Sequence, residues 1–174
     1  MELATTLDLN NLTIIEVKTS SDLQQIEVLA NEIWQEHYTP IIGKDQVEYM
    51  LNKFQSSAVM LDQIANGYKY YKIVSSKLIG YLALLPENKD LFISKYYLSN
   101  NARGKGYGKI MLQHIKKVAA HHSKDNLRLT VNKYNLNSIA AYTKMGFSKK
   151  REVVFDIGNG YIMDDFEMIM QLWE

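Results

Sequence analysis

One short run concentrates residues that can do chemistry: Arg103-Gly104-Lys105-Gly106-Tyr107-Gly108-Lys109, where glycines and cations alternate almost without interruption. Glycine admits backbone torsions that other residues avoid, so successive N–H groups can converge on one concavity. Apolar residues at helical spacing follow, and a helix N-terminus offers unpaired donors and the positive end of its macrodipole to an anion. A diphosphate suits such a cradle. Two familiar phosphate loops are excluded by spacing. G-x-G-x-x-G begun at Gly104 needs glycine at 109, where Lys109 stands, and a nucleotide-triphosphate loop needs Ser or Thr after Gly108-Lys109, where Ile110 stands. A Gly-rich turn that merely caps a helix is the alternative for the loop taken alone.

Holding that loop requires a strand before it and a helix after it. Leu91–Leu98 supplies the strand and Tyr107–His121 the helix, with Ile110, Met111, Ile115 and Val118 inward. Upstream, Thr13–Val17 reads as a first strand. A helix then carries Leu23, Ile26, Ala30 and Ile33, with Ser20, Ser21 and Asp22 offering N-cap oxygens. A second helix after Pro40 and Gly43 aligns Val47, Met50, Leu51 and Phe54, and a short helical piece spans Ala58 to Ile64. β-Branched and aromatic residues mark strands at Tyr68–Val74 and Leu78–Leu85, which with Leu91–Leu98 form an antiparallel meander. Leu127–Val131 is a further strand and Asn137–Met145 a helix. Strands Ser148–Asp156 and Tyr161–Leu172 are joined through Gly158-Asn159-Gly160. The expected fold is α/β: a mixed, mostly antiparallel sheet with helices on its faces, in one domain over 1–174.

Composition narrows the function. The 174 residues are 47% apolar and 22% charged, ordinary for a globular chain. Twenty Lys and Arg against 19 Asp and Glu give a net charge of +1, without the basic excess that nucleic-acid binding rewards. There is no Cys, hence no thiolate zinc site, disulfide scaffold or Cys nucleophile. No metal is expected. The N-terminal MELATTLDLN lacks a basic export signal, and no apolar run reaches the roughly 18 residues of a membrane span. A cytoplasmic protein with no membrane partner is expected, as monomer or homodimer.

Two motifs in sequence order carry a resemblance. R-x-x-G-x-G at Arg103, Gly106 and Gly108 resembles the acetyl-coenzyme A signature of the GNAT superfamily of N-acetyltransferases. About thirty residues on, Asn135-Leu-Asn-Ser-Ile-Ala-Ala-Tyr142-Thr-Lys-Met-Gly146-Phe147 resembles the family's second motif, with Ser138 where Ala is commoner. The resemblance implies a central sheet whose strand Leu91–Leu98 splays from Leu127–Val131 and leaves main-chain groups free for acetyl-coenzyme A. It assigns the backbone of Tyr97 and Leu98 to the pantetheine and acetyl carbonyl, and Arg103, Gly104, Lys105, Gly106, Tyr107, Gly108 and Lys109 to the diphosphate. It also has Asn135 hold the far side of the pantetheine arm or its supporting loop, and Tyr142 lie near the sulfur. A helix cap is the alternative for Asn135, and an aromatic core position for Tyr142. Gly146 and Phe147 read as a C-cap and a core anchor.

The implied reaction is acetyl transfer from the thioester to a primary amine in a ternary complex. The N–H near Leu98 would stabilise the oxyanion, and the Tyr142 phenol would protonate the departing thiolate. The absence of Cys fits direct transfer. Several relatives carry a Glu on the fourth strand; here that stretch reads Ile93-Ser94-Lys95-Tyr96, so a water route for the amine proton is preferred; His37 could serve as base, but a surface role at a helix end is the favoured reading for it. His114, His121 and His122 read as solvated. Trp34, His37, Tyr38 and Tyr96 are candidate lining for the acceptor: a polyamine, another small amine or a protein amine. The acidic tail Tyr161-Ile-Met-Asp164-Asp165-Phe-Glu167-Met, with the Trp34–Tyr38 turn and Tyr49-Met50-Leu51, resembles the bacterial polyamine-acetylating branch; an acidic lining would suit a cationic amine, but alternating acids on an edge strand are more often a solvated face. A non-catalytic acyl-coenzyme A sensor on the same fold is the alternative function.

Overall fold

The computed structural model describes residues 11–173. The run MELATTLDLN lies outside the described residues.

Helix α1 (Ser20–Ile42) follows strand β1 (Thr13–Glu16) and begins on a capping box. Thr19 is the N-cap, accepting from the Asp22 N–H at 3.1 Å, while the Asp22 carboxylate accepts from the Thr19 N–H at 3.3 Å. The cap is thus one residue earlier than the serines suggest, because the reciprocal bond needs an acid three positions on. Pro40 lies inside this helix rather than beyond it. So close to the C-terminus it removes one donor without preventing the final turn, which Gly43 closes by donating to Thr39 O at 3.0 Å. Helices α2 (Lys44–Phe54) and α3 (Ser57–Ala65) follow.

Strands β2 (Lys69–Ser75), β3 (Lys77–Pro86) and β4 (Asp90–Leu98) form the expected meander. A one-turn 3-10 segment, Asn100–Ala102, leads through the glycine loop into α4 (Tyr107–His121). Strand β5 (Asn126–Asn132), helix α5 (Leu136–Met145) and the hairpin β6 (Ser148–Gly158) and β7 (Tyr161–Gln171) complete the chain. One sheet holds all seven strands in the order β1-β2-β3-β4-β5-β7-β6, antiparallel throughout except for β4 beside β5.

Each face of the sheet carries its own core. Helices α1, α2 and α3 cover one face, burying Ile26, Ala30, Trp34, Val47 and Met60 over Tyr70 and Tyr81. Helices α4 and α5 cover the other, burying Met111, Ile115, Val118 and Ile139 over Leu82, Leu91 and Leu129. No described helix is long and apolar enough to cross a membrane.

Two expectations fail here for physical reasons. The acidic strand is not an edge: β7 lies between β5 and β6, and Asp165 and Glu167 are buried. Glu167 is neutralised in place by Arg128 at 3.6 Å and Arg151 at 3.2 Å. The outer position belongs to β6, whose Ser148-Lys-Lys-Arg-Glu start is exposed, as a charged edge strand should be. His114 is not solvated either. It is buried against the Tyr71 ring, 4.6 Å between centroids, and desolvation pushes its imidazole down to about 4.

Candidate active site

The pairing of β4 with β5 stops early. Only Asp90↔Asn126, Leu91↔Leu127 and Phe92↔Arg128 are in register, after which the strands diverge. A bulge at Ser94, where β4 runs Lys95 opposite Ala83 but Ile93 opposite Leu84, re-aims the strand at that point. From Lys95 to Leu98 the β5 side of β4 is therefore open. The Ser99 N–H donates to Ile79 O on β3 at 2.8 Å, so by alternation the Leu98 N–H is directed away from β3 and into the split. The Leu98 carbonyl, on that same side, accepts from Arg103 Nε at 3.3 Å. Gly80 makes the approach of β3 possible, since a Cβ there would stand 2.4 Å from the Tyr97 carbonyl oxygen.

Beside the split lies the glycine loop. Gly104 and Gly106 adopt φ of +73° and +84°, and nothing lies within 4 Å of where their Cβ atoms would be. These glycines are therefore required by backbone conformation and leave free space above the loop. Gly106 is the N-cap of α4 and provides no side-chain acceptor, so the first-turn donors of α4 have no cap. The cleft above them has a volume of about 740 Å³ and is walled by Tyr96, Tyr97 and Leu98 on one side and Ser138, Ala141 and Tyr142 on the other. Arg103, Lys109, Lys116 and Lys144 ring it with positive charge. Uncapped donors, left-handed glycines and four cations fit the phosphates and extended arm of coenzyme A.

On the α1–α3 side a second chamber of about 310 Å³ opens beneath the same split. Tyr38, Tyr96, Tyr97 and Tyr142 border both spaces and form the junction between them. Tyr96 and Tyr142 stack with centroids 5.8 Å apart, and the Tyr96 hydroxyl donates to the Gly108 carbonyl, tying the junction to α4. Burial raises the Tyr142 phenol well above its ordinary value, as it does Tyr96 and Tyr97, and it pushes Tyr38 up to about 12. All four hold their protons at neutral pH. Trp34 also lines the chamber, its ring 4.4 Å from that of Tyr38.

His37 sits on the cleft side and bridges three elements. Arg103 Nη1 donates to its Nδ1 at 3.3 Å, so the proton is on Nε2, which donates to Asn135 Oδ1 at 3.1 Å. Burial, followed by the Arg103 charge, lowers its pKa against the opposing pull of Asn135. Asn135 is buried as the N-cap of α5, accepting from the Ser138 N–H at 3.4 Å and donating to Tyr38 at 3.4 Å. It stands behind the cleft wall and braces it. Lys105 and Tyr107 lie outside the cleft lining; the Tyr107 hydroxyl is 3.4 Å from Ser75 Oγ, and its ring packs against the α4-side core.

Two ionisable residues of the chamber are not singled out by the sequence, where Asp165 figures only as part of the acidic tail and Lys95 only in the stretch that lacks a Glu. Lys95, from β4, is 3% exposed, and Asp165, from β7, is 4% exposed. Lys95 Nζ donates to Gln63 Oε1 at 3.1 Å and lies 5.3 Å from the centre of the Tyr70 ring. Desolvation pushes Lys95 down to about 7; desolvation and then the neighbouring Asp164 push Asp165 up to about 6.

A model of the acetyltransferase (GNAT) family matches residues 27–147. Among solved structures, the chain is similar to the PaiA N-acetyltransferase of Thermoplasma acidophilum in complex with coenzyme A, at 22% identity and TM-score 0.78 over 92% of this chain and 99% of that one. A GNAT family acetyltransferase of Elizabethkingia anophelis with acetyl-CoA bound is similar at 15% identity and TM-score 0.60, over 94% and 100%. A spermidine N-acetyltransferase chimera from Vibrio cholerae and hSSAT is similar at 17% identity and TM-score 0.69, over 93% and 96%. These likenesses are of fold. The family match spans well over half of the sequence and contains the glycine loop, the split strand and Tyr142, and on that ground the chain belongs to the GNAT family of acetyl-coenzyme A-dependent N-acetyltransferases.

Proposed function

We propose that this enzyme, one domain over 1–174, moves an acetyl group directly to a primary amine, with both substrates bound at once on opposite sides of the β4–β5 split. The observation that carries this reading is the meeting of cleft and chamber at Tyr38, Tyr96, Tyr97 and Tyr142. Acetyl-coenzyme A would supply the activated acetyl thioester. Its phosphates would lie on the N–H groups from Gly104 to Lys109, and its acetyl end would reach the junction. There the Leu98 N–H donates to the carbonyl oxygen as negative charge develops on it. The incoming amine approaches from the chamber between the tyrosine rings, which exclude water from the junction. Tyr142 keeps its proton at neutral pH and holds it for the departing sulfur. Asn135 and His37 act one layer back, fixing Arg103 and Tyr38 where the two spaces meet.

The acceptor belongs to the primary amines: polyamines, other small amines or protein amines. The polyamine branch has the support of Asp165, the one β7 acid that lines the chamber, and of the shared fold with the spermidine N-acetyltransferase chimera. The test is a panel of amines with acetyl-coenzyme A, following free thiol and acetylated product by mass. Amine-dependent thiol release at one acetyl per thiol is expected. Tight acetyl-coenzyme A binding with no thiol release by any amine would replace transfer with acyl-coenzyme A sensing.

A further inference from the structure

The chamber has an unusual charge arrangement. Of the residues that line it, only Asp165 and Lys95 carry side chains that ionise close to neutral pH; its other titratable groups, Tyr38, Tyr68, Tyr96, Tyr97 and Tyr142, are all shifted upward by burial and stay neutral. The two stand on opposite banks of the split, Lys95 on β4 and Asp165 on β7, with β5 between those strands in the sheet. At about 4.8 Å per strand spacing, their backbones are at least roughly 10 Å apart. Neither is in an ion pair among the described residues. The Lys95 ammonium has three hydrogens. Gln63 takes one and the Tyr70 ring faces the group, which leaves donor capacity for the chamber. Asp165 has the Thr130 hydroxyl for company and its field reaches Tyr38 at the junction.

Burial makes each of these groups costly to ionise without a charged partner, and a ligand bringing the opposite charge to each would offset that cost. We propose that the chamber recognises a primary amine whose far end carries a carboxylate or other anionic oxygen, with Asp165 receiving the amine end and Lys95 the anionic end. This rests on the chamber being the acceptor side of the transfer site and narrows that reading. A polyamine would place a second ammonium toward Lys95, where no described carboxylate awaits it; an amino acid of suitable length places an anion there instead.

Asp165 then also handles the proton. The amine arrives as an ammonium and cannot attack until it loses one proton, which passes to a carboxylate oxygen of Asp165. The freed nitrogen lone pair forms the C–N bond to the acetyl carbon, and the C–S electron pair leaves with sulfur. The remaining excess proton on nitrogen reaches the thiolate through the Tyr142 hydroxyl, which gives one proton and takes one. Asp165 returns its proton to solvent. The balance is one ammonium and one thioester giving one amide, one thiol and one proton.

The experiment uses chain-length-matched trios: butylamine, 1,4-diaminobutane and 4-aminobutanoate, and their six-carbon counterparts. Calorimetric binding to the coenzyme A-loaded protein is measured alongside kcat/KM with acetyl-coenzyme A. In at least one trio the amino acid should bind at least about tenfold more tightly than the diamine. Near pH 8 its binding should take up protons, seen as a dependence on buffer ionisation heat, because the bound anion draws a proton onto Lys95. In Lys95→Met, which removes a buried charge and keeps the fold, preference and proton uptake should both vanish; in Lys95→Glu, where it folds, the diamine should win. Asp165→Asn should weaken every amine while leaving coenzyme A affinity unchanged. The proposal is overturned if the diamine binds as tightly as the amino acid in both trios, if no member binds, or if Lys95→Met keeps the parent's preference. Efficient transfer to diamines would defeat this inference alone, whereas no transfer to any amine of a wider panel would defeat the acetyltransferase reading of the site.

Discussion

The cleft and the chamber share four tyrosines, yet they are built on different terms. The cleft offers a ligand mostly backbone: left-handed Gly104 and Gly106, the uncapped first turn of α4, and the strand edge opened where β4 leaves β5. The chamber offers an acceptor side chains drawn from α1, α2, α3, α5, β4, β5 and β7. A backbone site tolerates side-chain change around it and fails when torsion or close approach is spoiled. A side-chain site retunes when a single charge is altered. The difference suits a transferase with an invariant donor and a changeable acceptor.

The junction gives the largest expected effect. Tyr142→Phe removes one hydroxyl and keeps the ring that stacks on Tyr96, so affinities on both sides should hold while single-turnover transfer slows by about 10²-fold. Unchanged single-turnover chemistry in the folded variant would remove Tyr142 as the proton donor. Next comes the backbone site. Gly106→Val forces a β-branched residue into φ of +84° and crowds the cradle, so acetyl-coenzyme A affinity should fall at least about tenfold, or about 1.4 kcal/mol, with amine affinity preserved. Equal loss on both sides would mean that the two regions are not separable.

Gly80→Ala sharpens the comparison from the far side of the sheet. Its new Cβ would meet the Tyr97 carbonyl at 2.4 Å, so β4 must shift where it serves both spaces. We expect losses of a few-fold in both affinities and a destabilisation of about 1–3 kcal/mol by chemical denaturation. A loss confined to one ligand would show that β4 is not their shared wall.

The smallest effect lies outside both regions, at His114. Its folded pKa of about 4 is below the ordinary value, so folding favours the neutral ring. Stability from this group is therefore complete above pH 6.5 and falls as pH drops toward 4, by about 1 kcal/mol between pH 6.5 and 5.5. His114→Leu should lack that part of the acid loss; an identical pH dependence of stability would show that the ring is solvated after all.

The same contrast explains what the sequence disclosed. The loop was legible because the chemistry of Arg103 to Lys109 is contiguous, and Asn135, Tyr142 and Gly146 sit within one helix and its caps, with Phe147 directly after. Lys95 was not, and Asp165 was visible only as part of an acidic tail, since their placement depends on which strands are neighbours. An alternating acidic strand looks like an edge until β6 takes the outer place, and the exposed Lys149, Lys150 and Arg151 were the available signal that it would. His114 had a signal too. It falls on the same helical stripe as Met111, Ile115 and Val118, and residue type outweighed position.

Direct transfer across the junction requires both spaces to be filled at once, and steady-state initial rates measured over a grid of acetyl-coenzyme A and acceptor concentrations test that requirement most directly. Double-reciprocal lines that intersect are predicted, with no exchange of label between coenzyme A and acetyl-coenzyme A when the acceptor is omitted. Parallel lines accompanied by such exchange would reveal an acetylated enzyme and contradict the two-sided site.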